Sequence, residues 1–282
     1  MPKESLQKGR KKKCQVHKEK MEGGEKKHFV LVHGACHGAW CWYKVAALLT
    51  SAGNRVTVVD LAASGINTKK FEDEVLTFSD YSQPLLDIMA SLPPQERVIL
   101  VGHSLGGLNL ALAMDRYPEK VSVAVFLTAF IPDSFNRPSY VLDKYMERTP
   151  LALFLDTEFK LDRGTEKPST MLFGPKFLSK MLYQLSPPED FTLATTLVRV
   201  GSLFQEDLSN APIFSVERYG SVRRVFIICD EDKGIPNNFQ HWIVENNPVK
   251  EVKVINGSDH MPMFCKPREL CDCLLEIAQM HT

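Results

Sequence analysis

The sequence predicts an α/β fold, with a mostly parallel β-sheet flanked by helices, and two observations lead to it. From residue 28 onward, short apolar runs rich in β-branched residues alternate with stretches of helical periodicity, a pattern typical of βαβ units. A glycine-rich turn, Gly102-His-Ser-Leu-Gly106, separates one such run from the helical stretch that follows it. The chain has 282 residues, of which 44% are hydrophobic and 24% charged, so it can form one large core or two small ones.

Strands are predicted where apolar runs are short, and helices where apolar residues recur at helical spacing. The predicted strands cover 28–33, 55–60, 97–101, 121–127, 224–229 and 251–255. The predicted helices cover 40–53, 78–92, 105–117, 236–246 and 267–280. Residues 28–131 and 216–282 are therefore expected to build the sheet-containing core.

Residues 132–215 interrupt this alternation, because eight prolines divide them into short pieces. Helical spacing of apolar residues persists, at Phe177, Leu178, Met181, Leu182 and Leu185. We predict an inserted, mostly helical cap over the edge of the sheet. One interpretation of the stripe is core packing, and another is a cap that presents Tyr145, Phe154, Phe159 and Phe173 to a ligand. The two are compatible, because a cap has two faces.

The N-terminal residues 1–27 hold ten Lys and Arg against four Glu. They contain little that can bury apolar area, so they predict a basic, disordered extension; a nuclear or surface-binding patch is the alternative. The other 255 residues carry 24 basic and 30 acidic side chains. This mildly acidic body argues against nucleic acid as a partner.

The distribution of apolar residues and cysteines indicates in which cellular compartment the protein is expected. No apolar run approaches the roughly 18 residues of a membrane span, and the polar N-terminus lacks the apolar segment of a secretory signal. Seven cysteines form an odd set without C-x-x-C spacing, unlike a secreted disulfide scaffold. A reducing, cytoplasmic location is the simplest expectation.

The turn at 102–106 matches G-x-S-x-G and predicts that Ser104 is a nucleophile. A serine on a sharp strand-to-helix turn needs small neighbours, because its backbone is strained. The helix that follows directs N–H groups and the positive end of its dipole towards charge that develops near the serine.

A serine nucleophile needs a base and a group that orients the base. In the chain order serine, acid, histidine, two histidines follow the last strands, His260 and His281. His260 lies in a loop just beyond the last strand, whereas His281 is next to the C-terminus and expected to be frayed. The acid follows the strand that ends at Cys229, where Asp230, Glu231 and Asp232 are all candidates; their spacing does not choose among them.

An oxyanion hole requires two backbone N–H groups near the serine. Leu105, which follows the nucleophile, supplies one, and the loop after the first strand supplies the other. Ala35 is the better candidate in that loop, since it lies in the turn directly after the strand. The histidines at 28, 33 and 37 have no metal-site motif around them. No glycine-rich phosphate loop is present either, so neither a metal nor a cofactor is expected.

Four segments stand out: His33-Gly-Ala-Cys-His-Gly-Ala-Trp40, Asp60-Leu-Ala-Ala-Ser-Gly65, Gly102-His-Ser-Leu-Gly-Gly107 and Asp259-His-Met261. Together they resemble the plant methylesterase family of α/β-hydrolases. The resemblance begins near residue 22 and runs to the C-terminus, and it leaves residues 1–20 as an extension. The family includes a salicylic-acid-binding esterase, methyl jasmonate esterase and polyneuridine aldehyde esterase, with hydroxynitrile lyases as a side branch.

The resemblance implies the α/β-hydrolase fold and a role for particular residues. The family aspartate precedes Lys-Gly-Ile-Pro, which makes it Asp232 here, with Ser104 as nucleophile and His260 as base. The positions that match the acyl pocket are Phe130, Tyr145 and Phe154; the salicylate-binding relative has tryptophan at the last of these.

The resemblance also implies a reaction. We expect a serine carboxylesterase that acts on methyl esters of small plant hormone-type acids, such as methyl salicylate, methyl jasmonate and methyl indole-3-acetate. Homodimers occur in the family. A hormone-binding protein that uses the same pocket is the alternative. A hydroxynitrile lyase is disfavoured, because Gly34 and Met261 replace the lyase threonine and lysine, and because lyases lack the histidine found here as His103.

Overall fold

A parallel sheet forms the centre of the protein, as seen in a computed structural model that describes residues 26–71, 73–161 and 168–281. The strands in this part of the chain are β1 His28–Val32, β2 Arg55–Val59, β3 Val98–Ser104, β4 Val121–Ala129, β5 Glu158–Leu161, β6 Pro168–Leu172, β7 Arg224–Cys229 and β8 Glu251–Ile255. Six of them form one sheet in the order β2-β1-β3-β4-β7-β8, and each neighbouring pair is parallel.

Burial follows the position of each strand in the sheet. All residues of β1 and β7 are buried, as are nearly all residues of β3 and β4. The edge strands β2 and β8 expose part of their length. Because helices cover both faces of a parallel sheet, its inner strands are continuous apolar runs. The predicted α/β class is confirmed.

Helices on both faces of the sheet account for this burial. The α-helices of the described ranges are α1 Tyr43–Ser51, α2 Phe78–Ser91, α3 Gly106–Arg116, α4 Tyr140–Arg148, α5 Pro175–Phe177, α6 Pro188–Leu197, α7 Gln205–Asn210, α8 Asn237–Asn246, α9 Pro262–Cys265 and α10 Pro267–His281. Of these, α4 to α7 lie between β4 and β7 and do not belong to the layers that flank the sheet. The start of α2 shows how sequence sets a boundary, since Thr77 and Asp80 form a reciprocal capping box there. None of the helices in the described ranges has the length and apolar character needed to cross a bilayer.

The described residues between β4 and β7, which we call the insertion, contain α4 to α7 and the antiparallel pair β5-β6. The pair was not expected in a mostly helical cap. Pro168 breaks the strand pattern in the sequence, yet a proline is tolerated at the first residue of an edge strand. The apolar stripe at 177–185 is also not one α-helix, because α5 is followed directly by a π-helical turn at Leu178–Leu182.

Two expectations concern the chain termini. The predicted disordered extension falls almost wholly on residues 1–25, which lie outside the described residues. His281 is not frayed: it ends α10, and its Nε2 lies 3.0 Å from Oε2 of Glu251 in edge strand β8. A charged partner on the sheet thus holds the last turn of α10, away from the other candidate site residues.

Candidate active site

Ser104 is the last residue of β3, and α3 begins two residues later, at Gly106. Its φ is 55°, a left-handed conformation that is strained for a residue with a side chain. The backbone on either side of Ser104 is tightly packed against its neighbours. A Cβ on Gly106 would lie 2.7 Å from the carbonyl oxygen of His33, and a Cβ on Gly102 would lie 2.8 Å from the carbonyl oxygen of Gly106. Glycine at both positions therefore permits the sharp strand-to-helix turn that carries Ser104.

His260 and Asp232 are in contact in loops that follow β8 and β7. Nδ1 of His260 lies 2.7 Å from Oδ2 of Asp232, and both residues are buried. Because a carboxylate accepts hydrogen bonds, Nδ1 carries the proton in the neutral ring and Nε2 is left with a lone pair. Thr128 Oγ1 donates a second bond to the same oxygen, at 2.5 Å, and the Ile235 N–H donates to Oδ1 at 2.9 Å. These bonds fix the carboxylate and, through it, the orientation of the imidazole.

The other acids in this loop have different surroundings. Oδ1 of Asp230 accepts hydrogen bonds from the backbone N–H groups of Gly257 and Ser258, so its carboxylate holds a turn. Glu231 is exposed, and its N–H donates to the carbonyl of Ser258. Of the three candidates, Asp232 is the one that contacts His260.

Ala35 and Leu105 line the same cavity as Ser104 and His260. Leu105 lies between Ser104 and α3, at the positive end of the helix dipole. Ala35 lies in a tight turn after β1 in which the next residue, Cys36, has a φ of 61°. Both predicted oxyanion donors are therefore brought to the site of the serine.

The cavity has a volume of about 530 Å³, its open mouth included. Its wall is mostly apolar, and the insertion supplies much of it. The predicted pocket residues Phe130, Tyr145 and Phe154 all line it, as do Met171, Phe173, Phe177, Leu182 and Leu203. Phe159 was expected to face a ligand but packs against Phe154 instead, with ring centroids 5.4 Å apart. The stripe at 177–185 belongs partly to the core and partly to the cavity wall. Leu178 is buried in the core, Phe177 and Leu182 line the cavity, and Leu185 is exposed.

His103 is a residue whose contacts the sequence did not reveal. Its Nε2–H donates to the carbonyl of His260 at 2.7 Å, and the two rings lie 4.6 Å apart. Burial, and then the neighbouring His260, hold the pKa of His103 well below its usual value, so the ring is neutral. The strand that carries the serine thus also holds the loop that carries the histidine.

Asp259 is a second residue of this kind. It is fully buried, and its Oδ2 accepts from the N–H of Leu185 and the hydroxyl of Ser186, both at 2.9 Å. Its Oδ1 accepts from the Met261 N–H at 2.9 Å. No sequence signal separates such a buried acid from a turn residue, because its partners in the insertion lie more than 70 positions away.

The three histidines that first raised a metal site have other partners. His28 contacts Glu96 and Thr57, remote from the cavity. His37 lines the cavity and His33 lies at the start of the same loop, and burial lowers the pKa of His33 to about 4 and that of His37 to about 3. In the described ranges, no group of three or more His, Cys, Asp or Glu side chains is arranged to hold a metal ion.

The fold and the strained serine at the end of β3 define the class of protein, an α/β-hydrolase. The family model for the alpha/beta hydrolase family matches residues 29–272. Salicylic acid-binding protein 2 of Nicotiana tabacum is 57% identical over 258 residues, which are 91% of this chain and 99% of that protein. Methylesterase 1 of Arabidopsis thaliana is 54% identical, over 91% of this chain and 98% of its own length.

A solved structure agrees with these relatives. The crystal structure of polyneuridine aldehyde esterase superposes with a TM-score of 0.87, at 51% identity, and covers 90% of this chain and 100% of that one. The chain therefore belongs to the plant methylesterase family of α/β-hydrolases, and it is a carboxylic ester hydrolase.

Proposed function

We propose that the protein is a serine carboxylesterase that hydrolyses methyl esters of small hormone-type carboxylic acids, with Ser104, His260 and Asp232 as its catalytic residues. One observation carries the proposal: a strained serine and a histidine oriented by a buried aspartate line one apolar cavity. Backbone strain of this kind clusters at functional sites, because it lowers the stability of the fold. An aspartate that fixes the imidazole tautomer is typical of a catalytic triad.

The proposed reaction begins when Nε2 of His260 takes the hydroxyl proton of Ser104 and the serine oxygen attacks the ester carbonyl. The N–H groups of Ala35 and Leu105 stabilise the oxyanion of the tetrahedral intermediate. His260 then gives the proton to the leaving methoxide, and methanol departs. Water hydrolyses the acyl-enzyme by the same proton path. Asp232 holds the imidazole and stabilises its charged form, and no step uses a metal or cofactor.

The cavity wall supports an uncharged acyl group as the ligand. No Lys or Arg is among the described residues that line it. A neutral methyl ester enters such a cavity at a lower desolvation cost than a carboxylate does. We place the acyl part against Phe130, Tyr145 and Phe154, and we propose methyl salicylate, methyl jasmonate and methyl indole-3-acetate as the first esters to try.

The competing proposal is a binding protein that holds the free acid with little turnover. The name of the tobacco relative, a salicylic acid-binding protein, favours it. A lyase reaction has less support, because Met261 has no cation to stabilise a departing cyanide and a Cβ at Gly34 would lie 2.8 Å from the Cβ of Ser104. A cytoplasmic location and a homodimeric assembly stay predictions.

The test is methanol release from the purified protein with each of the three esters, beside Ser104→Ala. Turnover of one ester that the substitution abolishes supports the esterase and identifies its acid. Tight binding of one free acid without turnover of any ester supports the binding protein instead. Turnover that persists in Ser104→Ala contradicts the proposed mechanism.

A further inference from the structure

The loop that carries Ala35 is held at each of three successive carbonyl groups. Nδ1–H of His33 donates to the carbonyl of Gly34 at 2.8 Å, and Nδ1–H of His37 donates to that of Ala35 at 2.9 Å. The backbone N–H of Arg199, from the insertion, donates to the carbonyl of Cys36 at 3.0 Å. Hydrogen bonds to consecutive peptide groups fix the peptide planes between them, and they hold Cys36 in its positive φ.

His37 contacts both peptide groups that flank Ala35. Its backbone N–H lies 3.4 Å from the carbonyl oxygen of Gly34, whose peptide group contains the Ala35 N–H. Its side chain holds the next carbonyl, that of Ala35 itself. Because the peptide groups before and after Ala35 are both restrained, the direction of the Ala35 N–H is fixed. A preorganised oxyanion donor requires such a fixed direction.

The second nitrogen of His37 faces the insertion. A carbonyl oxygen only accepts, so Nδ1 is the protonated nitrogen, and Nε2 accepts the hydroxyl proton of Tyr183 at 2.7 Å. The His37 ring is stacked between Trp40 and Tyr183, with centroids 5.3 and 5.9 Å away. Burial lowers the pKa of His37 to about 3 and raises that of Tyr183 far above its usual value. Both groups therefore stay neutral, and the direction of the two hydrogen bonds does not change.

We propose that His37 is a positioning residue that couples the insertion to the oxyanion hole: Tyr183 orients its ring, and the ring holds the carbonyl of Ala35, in the peptide group next to the one that carries the Ala35 N–H. The inference rests on the proposed function, because it assigns a purpose to the Ala35 N–H. It goes beyond that function by making catalysis depend on a side chain of the insertion that does not line the described part of the cavity.

Three variants probe the coupling. Tyr183→Phe removes the hydroxyl and keeps the stacked ring, His37→Leu removes both hydrogen bonds, and His37→Asn keeps an amide N–H near the place of Nδ1. Tyr219→Phe is the matched control, since Tyr219 is a fully buried tyrosine whose hydroxyl donates to the carbonyl of Pro132 at 2.6 Å, outside the cavity lining.

The readouts are kcat and KM for the preferred ester, and the Ki of a trifluoromethyl ketone with the same acyl group, which adds Ser104 and places an oxyanion in the hole. We expect kcat to fall about fivefold in Tyr183→Phe and about 50-fold in His37→Leu, within the range for a displaced oxyanion donor. In Tyr183→Phe, KM should stay within about twofold, because the ground-state ester makes little use of the hole and Tyr183 is not among the residues that line the described cavity. The Ki of the ketone should rise in proportion to the loss of kcat, His37→Asn should recover most of the rate, and Tyr219→Phe should match the wild type.

Two results would overturn the coupling: an unchanged ketone Ki in His37→Leu, or equal losses of kcat in Tyr183→Phe and Tyr219→Phe. A loss of kcat without a change in Ki would show a structural effect alone. The ketone titration decides the inference even where no ester is turned over. Absence of methanol release in the wild type would instead contradict the proposed function.

Discussion

Thr128 donates a 2.5 Å hydrogen bond to Oδ2 of Asp232, the same oxygen that lies 2.7 Å from Nδ1 of His260. We predict that Thr128→Val lowers kcat about tenfold, which corresponds to about 1.4 kcal/mol, because a buried carboxylate oxygen loses a donor and the imidazole is held less firmly. Steady-state kinetics on the preferred ester measure the loss. Thr128→Ser keeps the hydroxyl and should stay within about twofold; an equal loss in both variants would contradict this account.

Asp232 and Asp230 form a natural pair for comparison, because they lie two residues apart and only the first contacts His260. Asp232→Asn should lower kcat by about 10⁴-fold, since the amide favours the wrong imidazole tautomer. Asp230→Asn alters a turn and should leave kcat within about threefold, with a lower melting temperature as its main effect. The comparison is made by single-turnover kinetics, and similar losses of rate in the two variants would remove Asp232 from its proposed role.

Gly34 separates the first-strand loop from the serine. A Cβ there would lie 2.8 Å from the Cβ of Ser104 and 3.3 Å from the carbonyl oxygen of His103, so Gly34→Ala must displace either the nucleophile or the loop that carries Ala35. We expect kcat/KM to fall about 100-fold, the cost of a displacement of about 1 Å. Gly220→Ala serves as the control, because the nearest atom to its Cβ would be 3.5 Å away. Full activity in Gly34→Ala would mean that the turn at 102–106 and the loop after β1 move apart without loss of function, and it would contradict this prediction.

Phe154 bears on the choice of acid. Tryptophan at this position adds volume to the wall of a cavity of about 530 Å³, which should penalise a bulky acyl group more than a compact one. We predict that Phe154→Trp shifts the ratio of kcat/KM for methyl salicylate over methyl jasmonate about tenfold towards the salicylate. Phe159→Trp makes the same chemical change on a ring behind the wall, and its ratio should not move. A shift in the opposite direction would show that the acyl group lies elsewhere.

Buried histidines make stability depend on pH. Burial lowers the pKa of His33 to about 4 and of His37 to about 3, from 6.5 when exposed. Below pH 6.5 the unfolded chain binds protons that the folded protein does not, so the free energy of unfolding decreases as the pH falls towards 4. Each histidine contributes a slope of up to about 1.4 kcal/mol per pH unit. Urea unfolding at pH 7, 6 and 5 measures the slope, and it should be shallower in His37→Asn; equal slopes would contradict the burial argument.

The sequence predicted the sheet well because its inner strands are nearly continuous apolar runs and its edge strand β8 alternates half-buried and exposed residues over most of its length. The strands at 224–229 and 251–255 were predicted with the bounds that the structure has, and β3 continues beyond the predicted 97–101 to Ser104. The antiparallel pair β5-β6 was missed, because a short edge strand that begins with Pro168 has no apolar run. The β-propensity of such short strands is a weak signal, because β5 and β6 form a two-stranded pair outside the main sheet.

The candidate site was less predictable than the fold. Asp230, Glu231 and Asp232 are consecutive, so residue type and spacing could not separate them, and a resemblance to relatives was needed to choose one. The contacts of Thr128 with Asp232 and of His103 with His260 join residues 104 and 157 positions apart. Such contacts depend on loop geometry at the carboxyl edge of the sheet, which no local pattern encodes.

The buried carboxylate of Asp259, bound to Leu185 and Ser186 of the insertion and to Met261 beside the histidine, limits how this protein can be recombined with its relatives. A graft of the insertion from another enzyme brings new residues to positions 185 and 186. Any residue but proline keeps the backbone N–H at 185, but the hydroxyl at 186 is lost unless serine or threonine stands there. Without that hydroxyl, the buried carboxylate has one partner fewer, and the segment around His260 is held less firmly. A chimaera built to transfer substrate preference therefore has to exchange the insertion and the segment around His260 together. The insertion lines the substrate cavity, and Asp259 connects it to the segment that carries the proposed catalytic histidine.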